Sequence, residues 1–189
     1  MKQKMSAMDV RALVTLLRRR VIGLRVANVY DVSGRLYLLK LAKGGVKEHL
    51  LIESGIRIHT TSFTKNKKDL PSGFSMKLRK HLRTKKLVTV RQLGMDRVID
   101  LQFGRDEFAA HLIVELYAQG NVILTDHEYT ILSLLRSYTL DAKQPEAAAG
   151  AGDDAGDGPV RCAVREKYPF SQAAYLTEDS IITDPEQVK

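Results

Sequence analysis

Nine short runs of branched aliphatic and aromatic residues follow one another along the chain, most of them parted by glycine, serine or asparagine turn signals. Runs of this kind read as strands joined by tight turns. Residues 26–32 and 36–41 flank Ser33-Gly34, a hairpin pair. Residues 50–60 form a third run with Gly55 inside it, expected as a bulge. Further strands are expected at 87–92, at 98–103 with Ile99, Leu101 and Phe103 on one side, and at 111–117 and 121–125 around Ala118-Gln119-Gly120. The last two are expected at 129–138 and 160–164, and Gly44-Gly45 reads as a hairpin tip.

Two helical patterns interrupt the strands. Val10, Leu13, Val14, Leu17 and Val21 recur at helical spacing, with Ser6 and Asp9 in a capping-box arrangement and Gly23 at the exit. In residues 74–84, Phe74, Leu78 and Leu82 share a face, and Lys77, Arg79, Lys80 and Arg83 cover the other. One helix ahead of the strands and one among them predict an α+β fold of antiparallel sheets, sandwich-like, with an N-terminal helix and a second basic helix. Arg11, Arg18, Arg19 and Arg20 give the first helix a transit-peptide composition, but the next strand follows too closely to leave a cleavable leader.

The 189 residues carry 30 Lys+Arg against 22 Asp+Glu, a net charge of +8. Between residues 57 and 91 eleven bases face one acid, Asp69. Such a block suits a polyanion, with nucleic acid the first expectation and a solvated basic surface the plainer one. Residues 142–159 lack a large apolar side chain and end in Gly158-Pro159; they are expected to be a disordered low-complexity insertion between two strands. No segment approaches the ~18–20 apolar residues that cross a bilayer, so no membrane partner is expected and a cytoplasmic location is. The single cysteine, Cys162, excludes an internal disulfide and reads as a buried thiol.

Catalytic signatures are missing. There is no Walker loop and no dinucleotide fingerprint. His49, His59, His81, His111 and His127 show no zinc spacing, so neither a metal nor a cofactor is expected, and His59 and His111 read as structural. Two polar features stand out. Asp9, in the first turn of the first helix, is either a cap or a carboxylate presented to a ligand. Asp96-Arg97, after Gly94, is either a turn ion pair or a pair that reads RNA.

Several stretches resemble the amino-terminal domain of the NFACT family in its eukaryotic branch: VYDVSGRLYLLKL, LLIESGIRIHTTSF, PSGFSMKLRKHLRTKKL, QLGMDRVIDLQFG, LIVELYAQGNVILTD and AVREKYP. In order, they span most of residues 6 to 170. The resemblance implies a ribosome-associated quality-control function: binding of stalled large ribosomal subunits, recruitment of alanyl-tRNA, mRNA-free tailing of the nascent chain, and recruitment of the listerin ubiquitin ligase through other domains. It places tail elongation on Asp9, Asp96 and Arg97. Beside them, Lys77, Arg79, Lys80, Arg83, Lys85 and Lys86 are the expected basic RNA-binding surface. It also implies one domain over 1–170, with 171–189 a linker or the start of a helix-hairpin-helix domain.

Two stretches depart from the family pattern, the basic TSFTKNKKDLPS where an acidic, Trp-containing loop is usual, and the insertion at 142–159. The family domain is likened to the front of formamidopyrimidine-type DNA glycosylases, which use an N-terminal proline amine and a glutamate. The chain starts Met1-Lys2-Gln3, and without that secondary amine a binding domain is expected rather than an enzyme.

Overall fold

A computed structural model describes residues 5–62, 68, 70–117, 119–140 and 160–170. The insertion expected at 142–159 and most of the basic loop before Pro71 lie outside the described residues, as does 171–189.

Helix α1 spans Ala7–Val21. Asp9 N–H donates to Ser6 Oγ at 3.2 Å and Ser6 N–H donates back to Asp9 Oδ2 at 2.7 Å. That reciprocal pair satisfies two amides left open by the first turn. Val10, Val14, Leu17 and Val21 are buried, as their spacing predicts, and Gly23 leaves the helix at φ +90°. Strands β1 (Arg25–Asp31), β2 (Leu36–Lys43), β3 (Val46–Glu53) and β4 (Arg57–Thr61) form an antiparallel meander, with Gly44-Gly45 at a hairpin tip. The single run expected at 50–60 is therefore two strands. Gly55, at φ +75°, is the turn between them rather than a bulge, and a Cβ there would lie 3.0 Å from the backbone N of Gly120. That close approach seats the turn on the hairpin of the other sheet.

Helix α2 (Gly73–Leu82) follows. Asp31, at the end of β1, holds its N-cap: Ser72 N–H donates to Oδ2 at 2.9 Å and Ser72 Oγ to Oδ1 at 2.6 Å. Leu78 and Leu82 are buried and Phe74 packs edge-on to Tyr37. Arg79, expected on the open face, is half-buried: its Nε donates to Val29 O at 2.8 Å and its guanidinium lies 5.8 Å from the Tyr30 ring centre. A planar cation with an aliphatic stem can pack inward in this way, and helical periodicity alone does not reveal it.

Strands β5 (Leu87–Gln92), β6 (Val98–Phe103), β7 (Ala110–Glu115), β8 (Asn121–Asp126) and β9 (Ile131–Leu134) form a five-stranded antiparallel meander. A 3-10 turn, Asp106–Phe108, joins β6 to β7. The strand expected at 129–138 is broken. β10 (Tyr138–Leu140) leaves this sheet and pairs with β11 (Val160–Cys162). The break has a named cause: the Asn121 side chain donates to Arg136 O at 2.7 Å and accepts from Arg136 N at 3.2 Å, turning the chain away from the ladder. The α+β architecture of antiparallel sheets is as expected. One core joins both helices and both large sheets, from Val10 and Leu17 through Leu39 and Leu50 to Leu101, Phe103 and Leu124.

Candidate nucleic-acid interface

Helix α1 runs antiparallel to β5. Arg18 Nε donates to Val90 O at 2.7 Å, and Gly23 N–H donates to Leu87 O at 2.9 Å. This alignment carries the first turn of α1 to the end of β5, where the chain turns through Leu93, Gly94 and Met95 into Asp96 and Arg97. Gln92 makes the junction. Its side-chain nitrogen donates to Ala7 O at 3.1 Å and to Asp96 O at 2.7 Å. The helix start that carries Asp9 and the turn that carries Asp96-Arg97 are thus held by one carboxamide.

The turn is closed from below by Leu93 N–H to Val98 O at 2.9 Å and Asp96 N–H to Leu93 O at 3.2 Å, with Gly94 at φ +57°. The Asp96 carboxylate accepts from the backbone N–H of Arg97 at 2.6 Å, an arrangement that stabilises the turn. The Arg97 carbonyl accepts from Leu116 N–H at 2.8 Å. Asp96 and Arg97 are half-buried, and the guanidinium of Arg97 has no hydrogen bond or ion pair among the described residues. Asp9 is a cap and lies at the same surface, so its two readings are not exclusive.

The basic residues gather elsewhere. Lys77, Lys80 and Arg83 are exposed, and Lys86 is half-buried. Lys85 Nζ donates to Phe108 O at 2.6 Å. His81 reports the density of charge: burial, then Lys80, Lys85 and Lys77, hold its pKa below the usual imidazole value. This patch lies where β5 begins, and the Asp96-Arg97 turn where it ends. A strand of that length spans roughly 20 Å. The structure thus brings together Asp9, Asp96 and Arg97, and sets the basic helix at the opposite end of the same strand.

Beneath the Arg97 turn, polar residues that sequence reasoning passed over are buried. Asp100 is 1% exposed and receives hydrogen bonds from Arg91 Nε (2.9 Å), His111 Nδ1 (2.9 Å) and the Tyr129 hydroxyl (2.9 Å). Burial alone would raise its pKa, but the His111 and Arg91 contacts hold it below the usual carboxylate range. Glu115, also 1% exposed, has hydroxyl partners instead, and burial raises its pKa. Cys162 is buried, and burial pushes its thiol up to about 11. Among the described residues no group of three or more His, Cys, Asp or Glu side chains is placed to hold a metal ion. No helix among them is long and apolar enough to cross a membrane.

Comparison with known proteins gives one consistent set of relatives. The family model described as NFACT N-terminal and middle domains matches residues 6–145. The human ribosome quality control complex subunit NEMF is 49% identical over 173 residues, covering 92% of this chain and 15% of that protein. Ribosome quality control complex subunit 2 of Schizosaccharomyces pombe is 44% identical over 150 residues, covering 76% and 15%. The archaeal Rqc2 homolog aRqcH of Methanocaldococcus jannaschii is 34% identical over 143 residues, covering 72% and 21%. Among solved structures, the N-terminal domain of the fibronectin-binding protein PavA of Streptococcus pneumoniae shares the fold at TM-score 0.66 and 20% identity, over 81% of this chain and 66% of that one. The chain spans about 15% of the length of its eukaryotic relatives.

Proposed function

The chain belongs to the family of NFACT N-terminal and middle domains, and from that premise we propose that it is the first domain of a ribosome-associated quality-control factor, which contacts tRNA through Asp9, Asp96 and Arg97. In this reading the full-length protein binds a stalled large ribosomal subunit in the cytoplasm, recruits alanyl-tRNA and supports mRNA-independent tailing of the nascent chain. Listerin is engaged through other parts of that protein. The domain acts as a binding module, not an enzyme, and neither cofactor nor metal takes part.

The observation that carries the reading is the Gln92 bridge, which sets the start of α1 beside the Asp96-Arg97 turn. A guanidinium with no intramolecular hydrogen bond among the described residues, set in a braced turn, suits a base edge or a phosphate. Lys77, Lys80, Arg83 and Lys86, with Arg79 and Lys85 tied into the fold beside them, form a second, electrostatic contact some 20 Å away. One RNA reaching both would be positioned by phosphates at the helix and read at the turn.

The Asp96→Ala/Arg97→Ala double variant of the full-length protein tests this. Its thermal stability is expected to stay near wild type, because the two side chains are only half-buried and turn contacts still open to solvent contribute ~0–1 kcal/mol. tRNA recruitment and tail elongation are expected to fall sharply while ribosome binding persists. Normal tailing at wild-type protein levels would overturn the assignment. Separately, Lys77→Ala/Lys80→Ala/Arg83→Ala should flatten the salt dependence of tRNA binding, since each phosphate contact adds ~0.7–0.9 to the log–log slope.

A further inference from the structure

The turn that carries Arg97 stands on a small core of its own. Leu93 and Val98, the residues on either side of the turn, are buried with Ile113, Ile123, Ile131, Cys162 and Tyr168. Glu115 sits at the edge of that cluster. It pairs with Val98 across the β6–β7 ladder, so its side chain leaves the sheet on the same face as that of Val98. Its Oε1 accepts from the Tyr138 hydroxyl at 2.8 Å and from the Tyr168 hydroxyl at 3.0 Å. These two tyrosines come from separate segments, strand β10 and the chain beyond β11. The residue after Glu115 donates its backbone N–H to Arg97 O.

A carboxylate is a costly choice for this place. Removing it from water is unfavourable, and an apolar side chain of similar volume often does as well or better for stability alone. What it supplies is a single acceptor on which hydroxyls from distant parts of the chain converge, beside the strand end that holds Arg97.

We propose that Glu115 is a positioning residue for Arg97: by gathering Tyr138 and Tyr168 it fixes the strand end and small core from which the guanidinium reaches RNA. The inference rests on the reading of Arg97 as an RNA contact. It makes the segment on the far side of the 142–159 insertion part of the site, through Tyr168.

The test is a mutant cycle in the full-length protein, read as the Kd for a labelled tRNA. Arg97→Ala is expected to weaken binding about tenfold, and Glu115→Leu, which removes the acceptor and keeps the bulk, by a similar factor. If Glu115 acts through Arg97, adding Arg97→Ala to Glu115→Leu should weaken binding less than twofold further. Glu115→Gln keeps a carbonyl oxygen where the hydroxyls converge and is expected to restore affinity to within about twofold of wild type. Tyr138→Phe/Tyr168→Phe, which removes donors without volume, carries the same cycle if Glu115→Leu does not fold. Effects that multiply in the double variant would overturn the positioning role and leave the RNA reading of Arg97 standing. No effect of Arg97→Ala on tRNA affinity would overturn both.

Discussion

The two faces of the five-stranded sheet solve the problem of burial in opposite ways. One face presents Ile99, Leu101, Phe103, Leu112, Val114, Val122 and Leu124 to the main core, a cluster of apolar side chains. The other presents Asp100, His111, Glu115, Asn121 and Thr125 among Val98, Ile113 and Ile123, and all of these are buried too. The apolar face needs only volume and shape from its cover. The polar face needs named partners in fixed places, because an unpaired buried polar group is expensive. Its cover supplies them: Tyr129 for Asp100, and Tyr138 and Tyr168 for Glu115. The face that supports the Arg97 turn is thus the one whose geometry is set by directional contacts.

Truncation gives the largest effect expected on either face. Phe103 is fully buried in the main core, and Phe103→Ala is expected to cost about 3–5 kcal/mol, read from urea midpoints. The comparison sharpens with shape-conserving swaps. Leu101→Met should cost under about 1.5 kcal/mol. Asp100→Asn, equally conservative in volume, is expected to cost about 2–3 kcal/mol, because it leaves Arg91 and His111 facing a neutral group. The figure sits below that for breaking a wholly buried pair because the Arg91 side chain is 45% exposed. If Asp100→Asn costs no more than Leu101→Met, the two faces do not differ in kind.

The two carboxylates should also part company in their pH dependence. Asp100 has its pKa lowered in the fold, so its contribution is present above the unfolded value of about 3.9 and is lost as pH falls through the lower folded value. Glu115 has its pKa raised, so its contribution is complete below the unfolded value of about 4.3 and is lost as pH rises through the folded one. Urea midpoints followed from pH 3 to pH 9 should therefore lose part of their acid limb in Asp100→Asn and fall less on the rising side in Glu115→Gln. Parallel profiles in the two variants would mean that both carboxylates are held in the same way.

The apolar face was legible in the sequence and the polar face was not, for one reason. Ile99, Leu101 and Phe103 alternate with Asp100 and Gln102, which is the pattern of a strand with one wet side. The cover that makes the second side dry comes from residues 129–140 and 160–170, far along the chain, and no local periodicity announces it. The same long-range origin hid the break after Leu134, which depends on Asn121. The capping box at Ser6 and Asp9 is contained in four residues and was plain from them. The meeting of that helix start with the Asp96-Arg97 turn followed only from family resemblance, since the Gln92 carboxamide that makes it is an ordinary strand-end residue to a reader of periodicity.

The smallest expected effect concerns how the cover of the polar face is held. Strands β10 and β11 pair antiparallel, with Leu140 opposite Val160, so the chain from 141 to 159 is the connection between two paired residues. Tyr138 lies opposite Cys162 in the same ladder, and Tyr168 follows β11. If the cover is fixed by this ladder and by the hydroxyls on Glu115, the length of the connection matters only through the entropy of closing it. Shortening it from about twenty residues to about five Gly/Ser residues is two halvings, which lowers the closure cost by about 1 kcal/mol in total. The melting temperature is expected to stay level or rise by about 2–4 °C. Binding of tRNA to the full-length protein should be unaffected, because the described partners of Glu115, Tyr138 and Tyr168, both lie outside the shortened stretch. A fall of about 5 °C or more would show that the connection itself packs on the polar face, and that the face draws partners from beyond the tyrosines named here.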